Sequence, residues 1–355
     1  MKVLFWVPYP HEGASNRYRV EQYLPYLDKE KIDYKLHPFW NSKAYKILYK
    51  KRNYLSKLYY LVLGSFYRLI DLIFIFKYDI VFIHREAYPF GGALFENVLR
   101  LLKKPFIFDF DDAIFLPYSS DSNIFIERFR KINKIPKIIK MSRCVIVGNN
   151  YLAEFAKIYS SSVFVISTSI DTDKFTPIEK DYNKEVIIGW IGSLTTVSYL
   201  KMLKNVFIDL TKQYSNVRFH IIGGNFSIDS ISNIYCKTWS IEEEIEDLKK
   251  IDIGIMSMPD NLWTKGKCGF KAIMYMSMGI PTVCSPVGVN NEIIDDGSNG
   301  FLANNNKEWT EKLSMLIESP SLRKKIGDQG RKTIEEKYSL KVNAPKFLKI
   351  LKEIF

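Results

Sequence analysis

The sequence predicts an α/β protein built from two Rossmann-like domains facing a cleft. Three observations carry this. Short apolar runs bounded by turn residues alternate with longer helical patterns. The same rhythm restarts near residue 185. A length of 355 residues also exceeds one ordinary domain. In the first half, VLFWVP (3–8), DIVFIH (79–84), PFIFDF (105–110), CVIVGN (144–149) and VFVIS (163–167) read as buried parallel strands. Helical patterns over 17–27, 55–76, 92–102 and 125–140 separate them. In the second half, EVIIGWIG (185–192), VRFHIIGG (217–224), IDIGIMSM (251–258) and IPTVCSP (280–286) read as strands. Helices are expected over 200–214, 241–250, 271–278 and 309–317, and the polar segment TPIEKDYNK (176–184) reads as a linker. The expected domains are 1–178, 185–338 and a terminal helix, 339–355, packing back toward the first. Ligands of such sheets sit at the carboxyl ends of the strands, so both sets of ends are expected to face the cleft.

Composition narrows the partners. The formal charge of +12 permits nucleic acid, an anionic membrane or phosphorylated small molecules. No zinc finger, RNA-recognition signature or helix-turn-helix pattern is present, so nucleic acid is not an expected partner. Cys144, Cys236, Cys268 and Cys284 form no C-x-x-C pair, which argues against a zinc site and for reduced thiols. The opening MKVLFWVPYP lacks the features of a signal peptide. The longest apolar stretch, 58–76, is broken by Arg68 and Asp71. A cytoplasmic location is expected.

The strongest local signal is GKCGFKAIMYMSMGIPTVCSPVG (266–288), read as loop, short helix, strand and tight turn. Gly266 and Gly269 allow close backbone approach to a ligand. A helix beginning near Phe270 offers free N–H groups to a phosphate. Lys267 and Lys271, four residues apart across that start, are expected to converge on one anion.

The run from Asp252 through this loop to NGFLA resembles the donor-binding region of family 4 retaining glycosyltransferases of bacterial surface-polysaccharide type. ISTSIDTDKFTP (166–177) resembles the family's interdomain signature, and RKKIGDQGRKTIEEKYS its closing helices. The resemblance implies the GT-B fold and transfer from a nucleoside-diphosphate sugar with retention. That sugar is a co-substrate, and no cofactor or bound metal is implied. Two departures stand out. The family's pair of glutamates falls at Gly266 and Met274, and a methionine cannot accept a ribose hydroxyl hydrogen bond. The family's Gly-Arg after the first strand of the second domain is Gly192-Ser193 here, with Thr195 and Thr196 following before a helix start near Ser198. Lys267 and Lys271 are expected to supply the missing positive charge. Trp239 is the expected nucleobase neighbour, and Asp260, near Trp263, the expected partner of sugar hydroxyls.

In the first domain, HEGASNRYR (11–19) joins strand to helix. Gly13 permits the turn, and Asn16, Arg17 and Arg19 lie at the helix start, where Gly13 and Arg17 would face the donor and Asn16 the acceptor. His84 ends its strand, where related enzymes place a histidine near the reacting sugar, and is the candidate for orienting a hydroxyl; Arg85 follows it toward the acceptor. In FDFDDAIF, alternation places Asp109 and Asp111 on one face and Asp112 on the other. Acceptor binding or structural contacts suit Asp111 and Asp112 better than a metal.

The basic segment 43–57, the apolar stretch 58–76 and the acid-free run 128–143 together could dock on anionic lipid at the inner face of the plasma membrane. The expected acceptor is therefore a hydroxyl of a glycan, lipid-linked. Two rival readings are a degenerate relative serving as a non-catalytic binding subunit and a GT-B-fold nucleotide-sugar epimerase.

Overall fold

A computed structural model describes residues 1–48, 50, 52–116, 133–180 and 185–354. The chain forms two compact units, one of Met1–Thr168, Gly266–Cys268 and Asn343–Phe355, the other of Ser169–Lys265 and Gly269–Val342.

The first unit is built on six parallel strands: β1 (Lys2–Val7), β2 (Asp33–Pro38), β3 (Ile80–His84), β4 (Phe106–Phe110), β5 (Cys144–Val147) and β6 (Val163–Val165). Their order is β2-β1-β3-β4-β5-β6. Residues of β3, β4 and β5 are buried throughout, so both faces of the sheet are covered, as continuous apolar strands require. The order reverses between β1 and β3, which makes that edge the switch point where ligands of such sheets bind. β2 is an edge strand with a half-exposed, charged sequence, DYKLHP, and so gives no apolar run to read.

The helical pattern at 17–27 is divided into Ala14–Arg19, a 3₁₀ turn Glu21–Tyr23 and Leu24–Lys29. Pro25 lies in the first turn of the last of these, where its missing N–H costs no hydrogen bond. The 55–76 pattern is the helix Tyr54–Ile73 and a 3₁₀ turn, Ile75–Lys77. Of the pattern at 125–140, the described part is the helix Lys134–Met141, and 125–132 lies outside the described residues.

The second unit repeats the plan with β7 (Val186–Ile191), β8 (Val217–Ile222), β9 (Ile234–Lys237), β10 (Ile253–Met256), β11 (Thr282–Cys284) and β12 (Phe301–Leu302). All are parallel, in the order β12-β11-β10-β7-β8-β9. Alternation along the strands divides the core in two. Ile188, Trp190 and Ile255 join one apolar cluster, while Ile191 and Met256 join the other with Tyr275 and Met276. The switch point lies between β7 and β10.

The main run of the first unit ends at Thr168, and 178 is the boundary expected from sequence. From Ser169 onward the chain packs in the second unit, because Ile170 bridges to Ser339, Phe175 is buried in its core, and Arg331 donates to the carbonyl of Thr172 at 2.7 Å. Residues 181–184 of the expected linker lie outside the described residues. The last helix is Leu340–Ile354, and Asn343–Phe355 belong to the first unit. There Phe347 stacks on Tyr23 at 4.6 Å and meets Phe82 edge-on at 5.5 Å.

Candidate active site

At the carboxyl ends of β3 and β4 the first unit gathers its buried charge. His84 and Asp109 are register partners on adjacent strands, which brings His84 Nδ1 to 2.6 Å from Asp109 Oδ2. Both side chains are fully buried. Arg19, buried at the end of the Ala14–Arg19 helix, clamps the same carboxylate: its Nε donates to Asp109 Oδ2 at 3.3 Å and its second amino group to Oδ1. A further donation, at 2.5 Å to the carbonyl of Ile166, fixes the guanidinium. A carboxylate held this way only accepts, so His84 carries its proton on Nδ1. The other ring nitrogen, Nε2, is buried with no hydrogen-bond partner among the described residues. Such a nitrogen is poised to accept from a hydroxyl.

Arg85 follows with φ of 62°, a left-handed backbone that a bulky side chain enters at a cost of about 1–3 kcal/mol. Its guanidinium donates to Asp111 Oδ1 at 2.8 Å and Asp112 Oδ2 at 2.7 Å. Burial pushes the Asp111 carboxyl up, but the Arg85 guanidinium, with Arg19 beyond it, outweighs burial and holds the group well below the usual carboxylate range. Lys267 completes the cluster, donating to Asp112 Oδ1 at 2.8 Å. Its tripeptide is seated by Asn149, which donates to the carbonyl of Lys267 at 2.9 Å, and by the Cys268 thiol, 3.0 Å from the carbonyl of Asp111. Burial and the neighbouring Asp111 push the Cys268 thiol up to about 12, so it packs as a neutral group. Arg19, Arg85 and Lys267 thus balance Asp109, Asp111 and Asp112.

One expectation is corrected here. Asp111 and Asp112 share Arg85 rather than pointing to opposite faces, because β4 ends at Phe110 and strand alternation stops there. The helix begins at Phe270, so Lys267 precedes it and Lys271 lies in its first turn. Lys271 lies over the Trp190 ring at 5.3 Å.

The second unit gathers loops at its own switch point. The stem of Lys271 runs past the end of β7: a Cβ on Gly192 would meet Lys271 Cε at 2.8 Å. Ser193 and Thr195 are exposed, with their hydroxyls 2.8 Å apart, and the 3₁₀ helix Val197–Leu203 follows. Gly223, at φ of 88°, brings the loop after β8 against the loop after β7, and a Cβ there would lie 2.0 Å from the Gly192 carbonyl oxygen. Trp239 sits in the same corner, half-buried, its Nε1 donating to Glu244 Oε1 at 3.0 Å. Gly269 precedes the Phe270–Ser277 helix in left-handed backbone, φ 65°.

The other sequence candidates are scattered. Gly13 caps the Ala14–Arg19 helix in extended backbone; Arg17 is buried against the Tyr18 ring, and Asn16 is buried, donating to Glu21 Oε1 at 2.6 Å. Asp260 is exposed and pairs with Lys265 at 3.3 Å. Phe270 packs against the core, and Met274 is inside it. Arg19 and Asp109 are the residues that reading by motif undervalued. The signal for them was positional: His84 and Asp109 each close a neighbouring buried strand.

Residues 185–319 match the family described as Glycosyl transferases group 1. The poly(ribitol-phosphate) alpha-N-acetylglucosaminyltransferase of Staphylococcus aureus (strain COL) is 23% identical over 255 residues, 68% of this chain and 48% of its own length. The chain therefore spans about half the length of that relative. An uncharacterized glycosyltransferase of Methanocaldococcus jannaschii is 28% identical over 272 residues, covering 74% of this chain and 71% of its own. Among solved structures, Anabaena HepE in complex with UDP superposes with a TM-score of 0.65 and 13% identity, over 99% of this chain and 100% of that one. The fold is that of the GT-B glycosyltransferases, and the match to the Glycosyl transferases group 1 model falls on the second unit.

Proposed function

We propose that the chain moves a sugar from a nucleoside-diphosphate sugar to a hydroxyl of a lipid-linked glycan, with retention of configuration, in the synthesis of a cell-surface polysaccharide or glycoconjugate. The observation that carries this reading is the meeting of Gly192, Ser193, Gly223 and Lys271 at the switch point of the second sheet, inside the group 1 domain. Backbone N–H groups and a cation at such a crevice suit a diphosphate. The name of the S. aureus relative and the UDP and UDP-glucose complexes of HepE support the same chemistry. The work belongs at the cytoplasmic face of the plasma membrane, where a nucleotide sugar and a lipid-linked acceptor meet.

Each unit takes one part of the task. In the second, Lys271, the Ser193 and Thr195 hydroxyls and the helix start at Phe270 stabilise charge on the leaving diphosphate as the anomeric C–O bond breaks. Trp239 lies near the base, and Asp260 addresses sugar hydroxyls. In the first, Nε2 of His84 accepts from a sugar hydroxyl, and Arg85, Asp111 and Asp112 receive the acceptor. The acceptor oxygen forms its bond to the anomeric carbon on the face the diphosphate leaves. Its proton passes to the departing phosphate oxygen, so no protein base is consumed.

A thermal-shift screen against nucleotide sugars tests the reading. One donor at about a hundredfold its Kd should stabilise the protein by about 2.7 kcal/mol. Lys271→Ala should remove most of that gain, whereas unchanged stabilisation would place the diphosphate elsewhere. Met274, buried in the core where related enzymes carry a carboxylate, favours a second reading in which the chain binds a donor without transferring it. Turnover by the purified protein separates the two.

A further inference from the structure

The helix Tyr54–Ile73 is built inside out. Its buried residues are Gly64, Arg68 and Asp71. Arg68 donates inward to the carbonyls of Ala87 and Val7 and lies over the Trp6 ring, while Asp71 accepts from Trp6 Nε1 at 2.9 Å. Burial pulls the Arg68 guanidinium down to about 10, against the pull of Asp71. At about 100° per residue, Leu55, Tyr59, Val62, Phe66, Leu69 and Ile73 fall on a single stripe opposite these three. Every one of the six is more than half exposed, from 54% at Leu69 to 85% at Leu55. An ordinary surface helix has the reverse pattern. The inward hydrogen bonds of Arg68 and Asp71 fix the roll of the helix, so the stripe cannot turn into the core.

We infer that this stripe docks in an anionic lipid surface, with the helix lying in the plane of the interface. Charge complementarity selects that occupant. From Tyr34 to Ile70 the chain has no Asp or Glu. Lys43, Lys46, Lys50 and Arg52, which lead into the helix, are exposed. A second copy of the chain would bring the same basic segments face to face and be repelled; an anionic bilayer attracts them. The helix also walls an apolar cavity of about 240 Å³ with Phe39, Tyr60, Leu63 and Tyr67 in its lining. The other basic run considered for this role is different: Lys134 is buried and pairs with Glu86 at 2.8 Å, and 128–132 lies outside the described residues. Among the described residues no helix is long and apolar enough to cross a membrane.

The docking does not depend on sugar transfer, and its test reads binding alone. The full chain is sedimented with phosphatidylcholine vesicles with and without phosphatidylglycerol. Wild type should pellet with the anionic vesicles, and less so as salt rises. Val62→Asp with Phe66→Asp should lower that partition at least about tenfold. Lys43→Glu with Lys46→Glu should lower it on anionic vesicles only. Leu55→Ser with Ile73→Ser, a gentler change at exposed positions, guards against loss of folding and should also weaken binding. Equal partition of wild type and the stripe variants overturns the proposal. So does a wild-type dimer that the stripe variants dissociate while neither form binds vesicles.

Discussion

At the scale of single residues, the buried centre of the first unit separates a structural task from a chemical one. Asp109 answers the charge of Arg19 in a site closed to water, and removing one member of such a pair leaves the other charge unpaired. Asp109→Asn should therefore lower stability by about 3–5 kcal/mol, read from the urea midpoint. His84 carries no such debt. His84→Asn should leave the midpoint within about 1.5 kcal/mol, since it removes one hydrogen bond. It should lower transfer by about 10²-fold if Nε2 orients a reacting hydroxyl. Comparable losses of stability in both variants would make the histidine a packing residue. The sequence marked His84 and the Asp109–Asp112 run as chemistry-bearing. It did not disclose that Arg85 gathers Asp111 and Asp112, because that contact forms beyond the last strand residue, where periodicity carries no information.

Elements were legible where their pattern was continuous. Strands such as FIFDF and VIIGWI stood out because a strand covered on both faces is largely apolar along its length. Edge strands β2 and β9 did not, since one side of each is open and polar residues are tolerated there. The loops at the strand ends are a finer case. The loop after β8 reaches the loop after β7 only because Gly223 has no side chain and sits at φ 88°. Gly223→Ala should cost about 1–3 kcal/mol and displace the contact with the Gly192 carbonyl. Nucleotide binding should weaken with it, measured by titration calorimetry. An alanine variant with native donor affinity would show that this contact does not shape the binding loop. On sequence alone the apolar stretch 58–76 reads as an amphipathic or a largely buried helix, and the direction of its apolar face is set by where Arg68 and Asp71 find partners.

On the scale of the whole molecule, each unit has its own sheet and its own core. Two such cores need not melt together. Calorimetry should resolve two transitions, and a nucleotide sugar held by the second unit should raise one of them while leaving the other within about a degree. A single transition that shifts as one would mean that the units unfold as a single cooperative block.

The sequence by itself determined the repeated strand-helix rhythm, the count of two halves and the resemblance of the second half to a donor-binding domain. These depend on local propensity and on the burial each segment demands, both written along the chain. Only the tertiary structure decided which side chains meet. It gave Arg85 two carboxylates, put Met274 in the core and turned the apolar stripe of Tyr54–Ile73 outward. Strand order, register and helix roll set those meetings. They arise from contacts between residues far apart in sequence, which spacing along one segment cannot encode.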